Sequence, residues 1–434
     1  MNLDALGASL ESAPLQRISG RVEGLAGPLI EVQLPGVSVG TLCRLQDGSL
    51  AEAVGFRGGR TLLQPFDANP RCAYRDRVEI AADAAVVPVG EELLGRVVDA
   101  LGRPLDGSAP PALTRRRPLL GTPPNPLKRR PVNRPLHTGV AAFDGLIPLA
   151  HGQRVMIAAG SGVGKSTLLG MIARFAHADA VVVNLVGERG RELNEFLHDA
   201  LGPEGRKRAA VVVATSDDSP ALQIRSTQYA TAIAEDLRDR GRDVLLLCDS
   251  LTRLALARRQ IGLAAGEPPT TRGFTPSVFS MMPPLLERAG CGEGPGSITG
   301  IYTVLVEGDD ENDPIADWVR GIVDGHVVLS RRLARQGLFP AVDPLSSLSR
   351  VADRVITPEH RAHIAAYRAL LATWRENEDL VRLGAWKRGI SPEVDEAVAR
   401  RHLLERLPTQ DALTPMTLAQ VGQRLAEATG LEAR

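Results

Sequence analysis

The 434-residue chain is 44% apolar and 24% charged, the balance of an ordinary soluble globular protein long enough for two or three domains. Its 51 basic and 51 acidic residues cancel and aromatics are only 3%, so neither a global basic field nor stacking platforms point to nucleic acid as a main partner. No apolar run is long enough to span a bilayer, the N-terminus lacks the pattern of a secretion signal, and the four scattered cysteines (Cys43, Cys72, Cys248, Cys291) make no CxxC pair; the expectation is an intracellular chain with free thiols.

In residues 1–16, Leu3, Leu6 and Leu10 form a short apolar stripe, but Pro14 soon ends any helix there, so a disordered tail is one reading of it. Residues 17–84 alternate short β-rich runs (20–22, 29–32, 53–56, 61–63) with Gly, Pro and Asp turns, which predicts a small β-barrel. A Pro- and Arg-rich connector follows within 85–134, carrying Arg115-Arg116-Arg117 and Lys128-Arg129-Arg130. These clusters suit an anionic surface or, as the proline-fixed backbone favours, an extended segment laid along the next domain. From there to 345, apolar runs at 154–158, 180–186, 210–214, 244–248, 302–306 and 326–329 alternate with helical stretches, the pattern of a mostly parallel α/β sheet. Residues 346–434 read as helical, with a long helix over 361–383 and Pro392-Glu393 as the first turn of another.

The chemistry begins at Ala159-Gly160-Ser161-Gly162-Val163-Gly164-Lys165-Ser166-Thr167, set between a buried strand and a helix. Glycines let successive N–H groups turn toward phosphate oxygens, and the helix N-terminus adds partial positive charge. Lys165 reaches terminal phosphates and the Ser166 hydroxyl suits Mg²⁺. The strict pattern has Gly where this chain has Ala159. Downstream, the strand 244–248 ends in Asp249, a carboxylate for the metal or else a helix cap. Glu188 closes another strand, where a base or water-positioning group for hydrolysis belongs; an exposed charged turn is the plainer alternative. Arg189 beside it is placed to touch phosphate.

Four blocks in order resemble the α/β ATPase family that includes the catalytic subunits of rotary ATP synthases: the phosphate loop, Gly187-Glu188-Arg189-Gly190-Arg191-Glu192, Asp249-Ser250-Leu251-Thr252-Arg253, and the run from Pro340 to Arg350. The wording is most similar to the type III protein-export ATPases of flagella and injectisomes, including the Ala-Gly-Ser-Gly-Val-Gly-Lys-Ser loop, Gly266-Glu267-Pro268-Pro269, and Tyr302 through Asp310. Ser297-Ile298-Thr299-Gly300 and Asn194-Glu195-Phe196 lean toward the flagellar branch. The resemblance runs from the barrel to about residue 405, and the tail past Leu407 looks longer than the family's usual end.

The resemblance implies a RecA-like P-loop core with an N-terminal β-barrel and a C-terminal helical domain. It implies a protein-secreting ATPase that uses ATP and Mg²⁺, with Glu188 as catalytic base and Arg350 as an arginine finger in a neighbour's site. Phe339 stands where adenine is stacked, with core packing as the alternative. A homohexamer follows, bound through residues 1–16 to a dimeric negative regulator. The segment from Gly384 to Ala397 would meet a coiled-coil central stalk, and Thr271 to Pro276 is either the pore-facing loop or a plain surface loop. The expected setting is the cytoplasmic face of the inner-membrane export apparatus, where the ring meets an export-gate membrane protein, releases chaperones and unfolds cargo. The rivals are a rotary ATP synthase or ion-pump subunit and an RNA-driven ring helicase.

Overall fold

In the computed structural model, residues 18–67, 70–81, 85–306 and 313–431 are described; the stripe in 1–16 and residues Glu307 to Asp310 lie outside them. Six strands, β1 (Ser19–Ala26), β2 (Leu29–Gln33), β3 (Leu42–Leu45), β4 (Leu50–Arg57), β5 (Arg60–Pro65) and β6 (Arg77–Ile80), close into a barrel in the order β1-β2-β5-β4-β3-β6. Closure through β1–β6 pairing leaves no free edge. Strands β3 and β6 are four residues long, too short for alternation to stand out in the sequence.

The connector is more structured than an extended linker. β7 (Val86–Val89) pairs with β9 (Arg115–Pro118), and β8 (Val97–Asp99) joins the edge of the large sheet. Its arginines turn inward onto the helix Pro220–Asp239: Arg115 pairs with Asp236 at 2.7 Å, and Arg117 with Glu235 at 3.1 Å and Asp239 at 2.7 Å. Arg129 pairs with Glu287, and Arg130 donates to the Gly296 carbonyl. The segment is laid along the next domain.

That domain holds a ribbon, β10 (Pro135–Leu136) with β11 (Leu149–Ala150), and a nine-stranded sheet. The sheet comprises β8, β12 (Arg154–Ala159), β13 (Ala180–Glu188), β14 (Ala209–Thr215), β15 (Asp243–Asp249), β16 (Gly290–Cys291), β17 (Ser297–Leu305), β18 (Gly325–Leu329) and β19 (Val342–Ser349). Its order is β19-β18-β12-β17-β15-β13-β14-β8, with the short β16 paired to β17. Strands β18 through β8 in that order run parallel, while β19 is antiparallel to β18. Helices cover both faces, so the strands are continuous apolar runs; Val244 to Leu247 are at most 1% exposed. All six predicted strands are present, and the last strand runs to Ser349, past the division at 345.

The helices Pro358–Arg382, Pro392–Arg406 and Leu418–Thr429 follow. Their buried Tyr367, Leu371, Trp374, Leu404 and Leu425 share one hydrophobic core with Leu168, Leu169 and Ile172, the residues just after the phosphate loop. The C-terminal region is thereby packed on the nucleotide-binding machinery. No described helix is long and apolar enough to cross a membrane. Cys43, Cys72, Cys248 and Cys291 are all free.

Candidate active site

Ala159 is the last residue of β12, pairing with Leu305 and Leu329. An extended strand position makes no demand for glycine, so the departure from the strict motif is harmless. The demand falls further on. Gly162 and Gly164 have φ of +77° and +84°, and a Cβ on Gly164 would also sit 3.3 Å from the Phe339 ring. A Cβ on Gly160 would come within 2.7 Å of Arg331 Nε. The loop then opens the helix Lys165–Phe175, aiming its first N–H groups into a cavity of about 760 Å³.

The carboxyl ends of three neighbouring strands supply the floor, as expected for a parallel sheet. Lys165, at the end of β12's loop, hydrogen-bonds Asp249 at the end of β15 and lies 3.5 Å from Glu188 Oε1 at the end of β13. Thr303 on β17 donates to Asp249 Oδ1 at 2.7 Å. Asp249 is 3% exposed and is not the helix cap: Ser250 Oγ accepts from Arg253 N to cap the next helix. Burial opposes the Lys165 charge, but Asp249 and Glu188 outweigh it and raise its pKa. Glu188 is pushed up to about 7, first by burial and then by its hydrogen bond with Glu192, against the pull of Lys165. Glu192 is lowered by that same bond. A carboxyl near neutrality beside a phosphate loop has the proton affinity a general base needs.

Gly160, Ser161, Gly162, Gly164, Lys165, Ser166, Thr167, Glu188, Arg189 and Asp249 all line the cavity. Val163 is 2% exposed and packs beneath the loop instead. Arg189 stands at the rim, its side chain 79% exposed and 3.7 Å from Glu192. Phe339 is 43% exposed with its ring against Gly164, and it stands outside the cavity lining. Arg350 is elsewhere. Because β19 runs antiparallel to β18, pairing Val342 with Leu329 near the loop and Ser349 with Gly325, Arg350 lies at the opposite sheet edge, roughly 13 Å further along at about 3.3 Å per residue. There it is exposed, donates to the Arg320 carbonyl at 3.3 Å, and lines an open cavity with Asp317 and Trp318.

Sequence reasoning assigned no role to four other groups on the cavity wall. Arg253 packs its stem against Gly187, and Arg331 follows the end of β18; both sit just past strand ends, where a signal was available. Arg174 and the pair Ala412 and Leu413 also line the cavity. The last two come from the tail beyond Leu407 and carry no local signature.

Loop, strand-end carboxylates and sheet order together define a RecA-like P-loop ATPase. The family profile described as ATP synthase alpha/beta family, nucleotide-binding domain, matches residues 139–349, and that of the T3SS EscN ATPase C-terminal domain matches 356–427. The flagellum-specific ATP synthase of Bacillus subtilis is 47% identical over 95% of each chain. The type 3 secretion system ATPase of Sinorhizobium fredii is 49% identical over 88% of this chain and 86% of its own. Among solved structures, the assembled ATPase EscN from the enteropathogenic E. coli type III secretion system matches with a TM-score of 0.90 and 42% identity, over 94% of this chain and all of that one. EscN in complex with its central stalk EscO matches at 0.87. The chain belongs to the ATP synthase α/β family. Within it, the chain is an ATPase of the type III export branch, to which both flagellar and injectisome relatives belong. The tail is not an extension beyond the family, since the C-terminal profile runs to residue 427 and Val421, Leu425 and Ala428 are buried.

Proposed function

We propose that the chain hydrolyses Mg²⁺-ATP in a homohexameric ring at the cytoplasmic face of the inner membrane to drive type III protein export. The flagellar apparatus is the first reading and the virulence injectisome the alternative. The observation that carries the mechanism is the meeting of Lys165, Asp249 and Glu188 on one cavity floor, with Arg350 on the opposite edge of the sheet. In this reading Gly160 to Thr167 cradle the phosphates, Lys165 binds the terminal ones, Arg189 touches them from the rim, and Phe339 stacks the adenine. Glu188 accepts the proton of the attacking water.

The donors suit Mg²⁺. Ser166 and Asp249 would hold it. Both are oxygen donors, of the kind and number that Mg²⁺ takes from a protein when phosphate and water supply the rest. An ion held there would supply positive charge against the phosphates.

One chain carries loop, base and finger but cannot bring the finger to its own loop, so a closed ring of identical subunits completes each site. A coiled-coil stalk has apolar purchase at the turn after the helix Pro358–Arg382, where Leu383 and Ile390 are 80% and 75% exposed beside Lys387 and Arg388. The exposed loop Thr271–Gly273 would face the pore. The negative regulator at residues 1–16, the export gate and the chaperone–cargo complexes complete the proposed partners.

Glu188→Gln keeps the shape and removes the base. Steady-state ATPase assays should show kcat lower by about 10²–10⁴-fold with nucleotide binding retained. Full activity in that variant sinks the mechanism.

A further inference from the structure

The segment joining the last two helices does more than connect them. Residues Ala412 and Leu413 stand on the wall of the nucleotide cavity, although they belong to the C-terminal helical region. Gln410 ties the segment that carries them to the ATPase core. Gln410 donates from its backbone N to the Phe339 carbonyl at 2.9 Å. Its side-chain amide donates to the Gly139 carbonyl at 2.8 Å and to Thr414 O at 2.7 Å, while its Oε1 accepts from Ala141 N at 2.9 Å. Three of these bonds join the segment to the ATPase core and the fourth folds it back on itself.

The receiving surface is built to fit. Gly139 has φ +69°, and a Cβ there would press within 2.7 Å of Phe175 and 3.3 Å of Pro415. Buried Asp144 fixes that turn by accepting from Thr138 N, Thr138 Oγ1 and Gly139 N. On the far side the segment is tied to the C-terminal helices, since Arg424 donates to the Thr409 carbonyl at 2.9 Å. Arg174, on the helix that starts at Lys165, holds the Ala412 carbonyl. Asp411 Oδ1 accepts from Leu413 N at 2.9 Å and stiffens the turn. Leu413 is left 72% exposed.

We propose that Gln410 is a positioning residue. It seats the 410–413 ledge as the outer wall of the base site, and ties Phe339 to the C-terminal helices so that the grip on the nucleoside depends on where those helices sit. The inference rests on the reading of Phe339 as the platform for the base. The amide is matched to its partners in both donors and acceptor, so neither a methyl nor a carboxylate can replace it. A carboxylate in its place would face the Gly139 carbonyl without a proton to donate.

The test uses the full-length chain and two ligands, Mg²⁺-ATP and inorganic tripolyphosphate, which carries the phosphates without a base. In Gln410→Ala and in the near-isosteric Gln410→Glu, KM for ATP should rise about tenfold with kcat within about twofold, as loss of several part-buried hydrogen bonds at once implies. Inhibition by tripolyphosphate should stay within about twofold, since nothing it touches has moved. Equal weakening of ATP and tripolyphosphate, or an unchanged KM in either variant that folds, overturns the proposal. Phe339→Ala separates the two layers of the argument. If it weakens ATP and the Gln410 variants do not, the positioning role of Gln410 fails while the platform reading survives. If the Gln410 variants weaken ATP and Phe339→Ala does not, the platform reading fails and takes the tie through Phe339 with it.

Discussion

Two groups of arginines on this chain have opposite fates. Around the helix Pro220–Asp239, Glu235 is fully buried and Arg288 makes two hydrogen bonds to it at 2.9 and 2.8 Å, with Arg117 adding a third at 3.1 Å. At the far sheet edge, Arg350 finds only a carbonyl among the described residues, that of Arg320. In the first region Arg115, Arg117 and Arg288 are each matched by a carboxylate of the same chain, and the charges hold the connector onto the core. In the second no carboxylate of the described residues answers the charge, which leaves the guanidinium free for the finger role proposed above. The two groups differ in whether a carboxylate of the same chain answers the guanidinium, and sequence alone shows only that the arginines exist.

The comparison breaks most directly at Arg350. Arg350→Ala should cut kcat by about 10³-fold or more, the usual worth of an arginine finger, while leaving thermal stability and single-chain nucleotide binding unchanged. Mixing Arg350→Ala with Lys165→Ala subunits should restore activity that neither ring has alone, because some interfaces then pair an intact loop with an intact finger. A failure to complement would put the finger back in its own chain's site.

On the structural side the effect should be the reverse. Arg288→Ala leaves buried Glu235 without its two-pronged partner and should cost about 3–5 kcal/mol, whereas Arg117→Ala, with Arg288 still in place, should cost about 1 kcal/mol. Both are read as a fall in the urea midpoint, with kcat per folded molecule unchanged for Arg117→Ala. An activity loss in Arg117→Ala without a stability loss would move that arginine to the other class.

What the sequence disclosed follows the range of the forces involved. The strands at 180–186 and 244–248 are legible because a sheet covered on both faces requires continuous apolar residues. The loop is legible because positive φ at Gly162 and Gly164 demands glycine at fixed offsets. The paired Lys165, Asp249 and Glu188 were each visible as strand-end groups. Ala412 and Leu413 were not, since they reach the cavity through Gln410 and a socket at Gly139 some 270 residues away in sequence. The inward turn of Arg115 and Arg117 was equally hidden, because it depends on acidic residues on a helix more than a hundred positions downstream.

Glu188 lies between the two classes. Its carboxyl is matched by Lys165 yet also shares a proton with Glu192, and with burial this lifts it to about 7. A base must be ionised to act, so kcat/KM should fall as pH drops through about 7 and level off above it; kcat/KM is the parameter that reports the free enzyme. Glu192→Gln replaces an acceptor of that shared proton by an amide that donates to the carboxylate, which removes the second largest cause of the rise while leaving burial in place. The acidic limb should therefore move to lower pH without disappearing, and the variant should outperform the parent by a few-fold near pH 6, with little difference above pH 8. ATP's own titration is common to both proteins, so the difference between the two profiles isolates Glu188. A limb that stays where it was would mean that Glu192 does not set the base, and one that moves up would mean that the glutamine withdraws a hydrogen bond rather than supplying one.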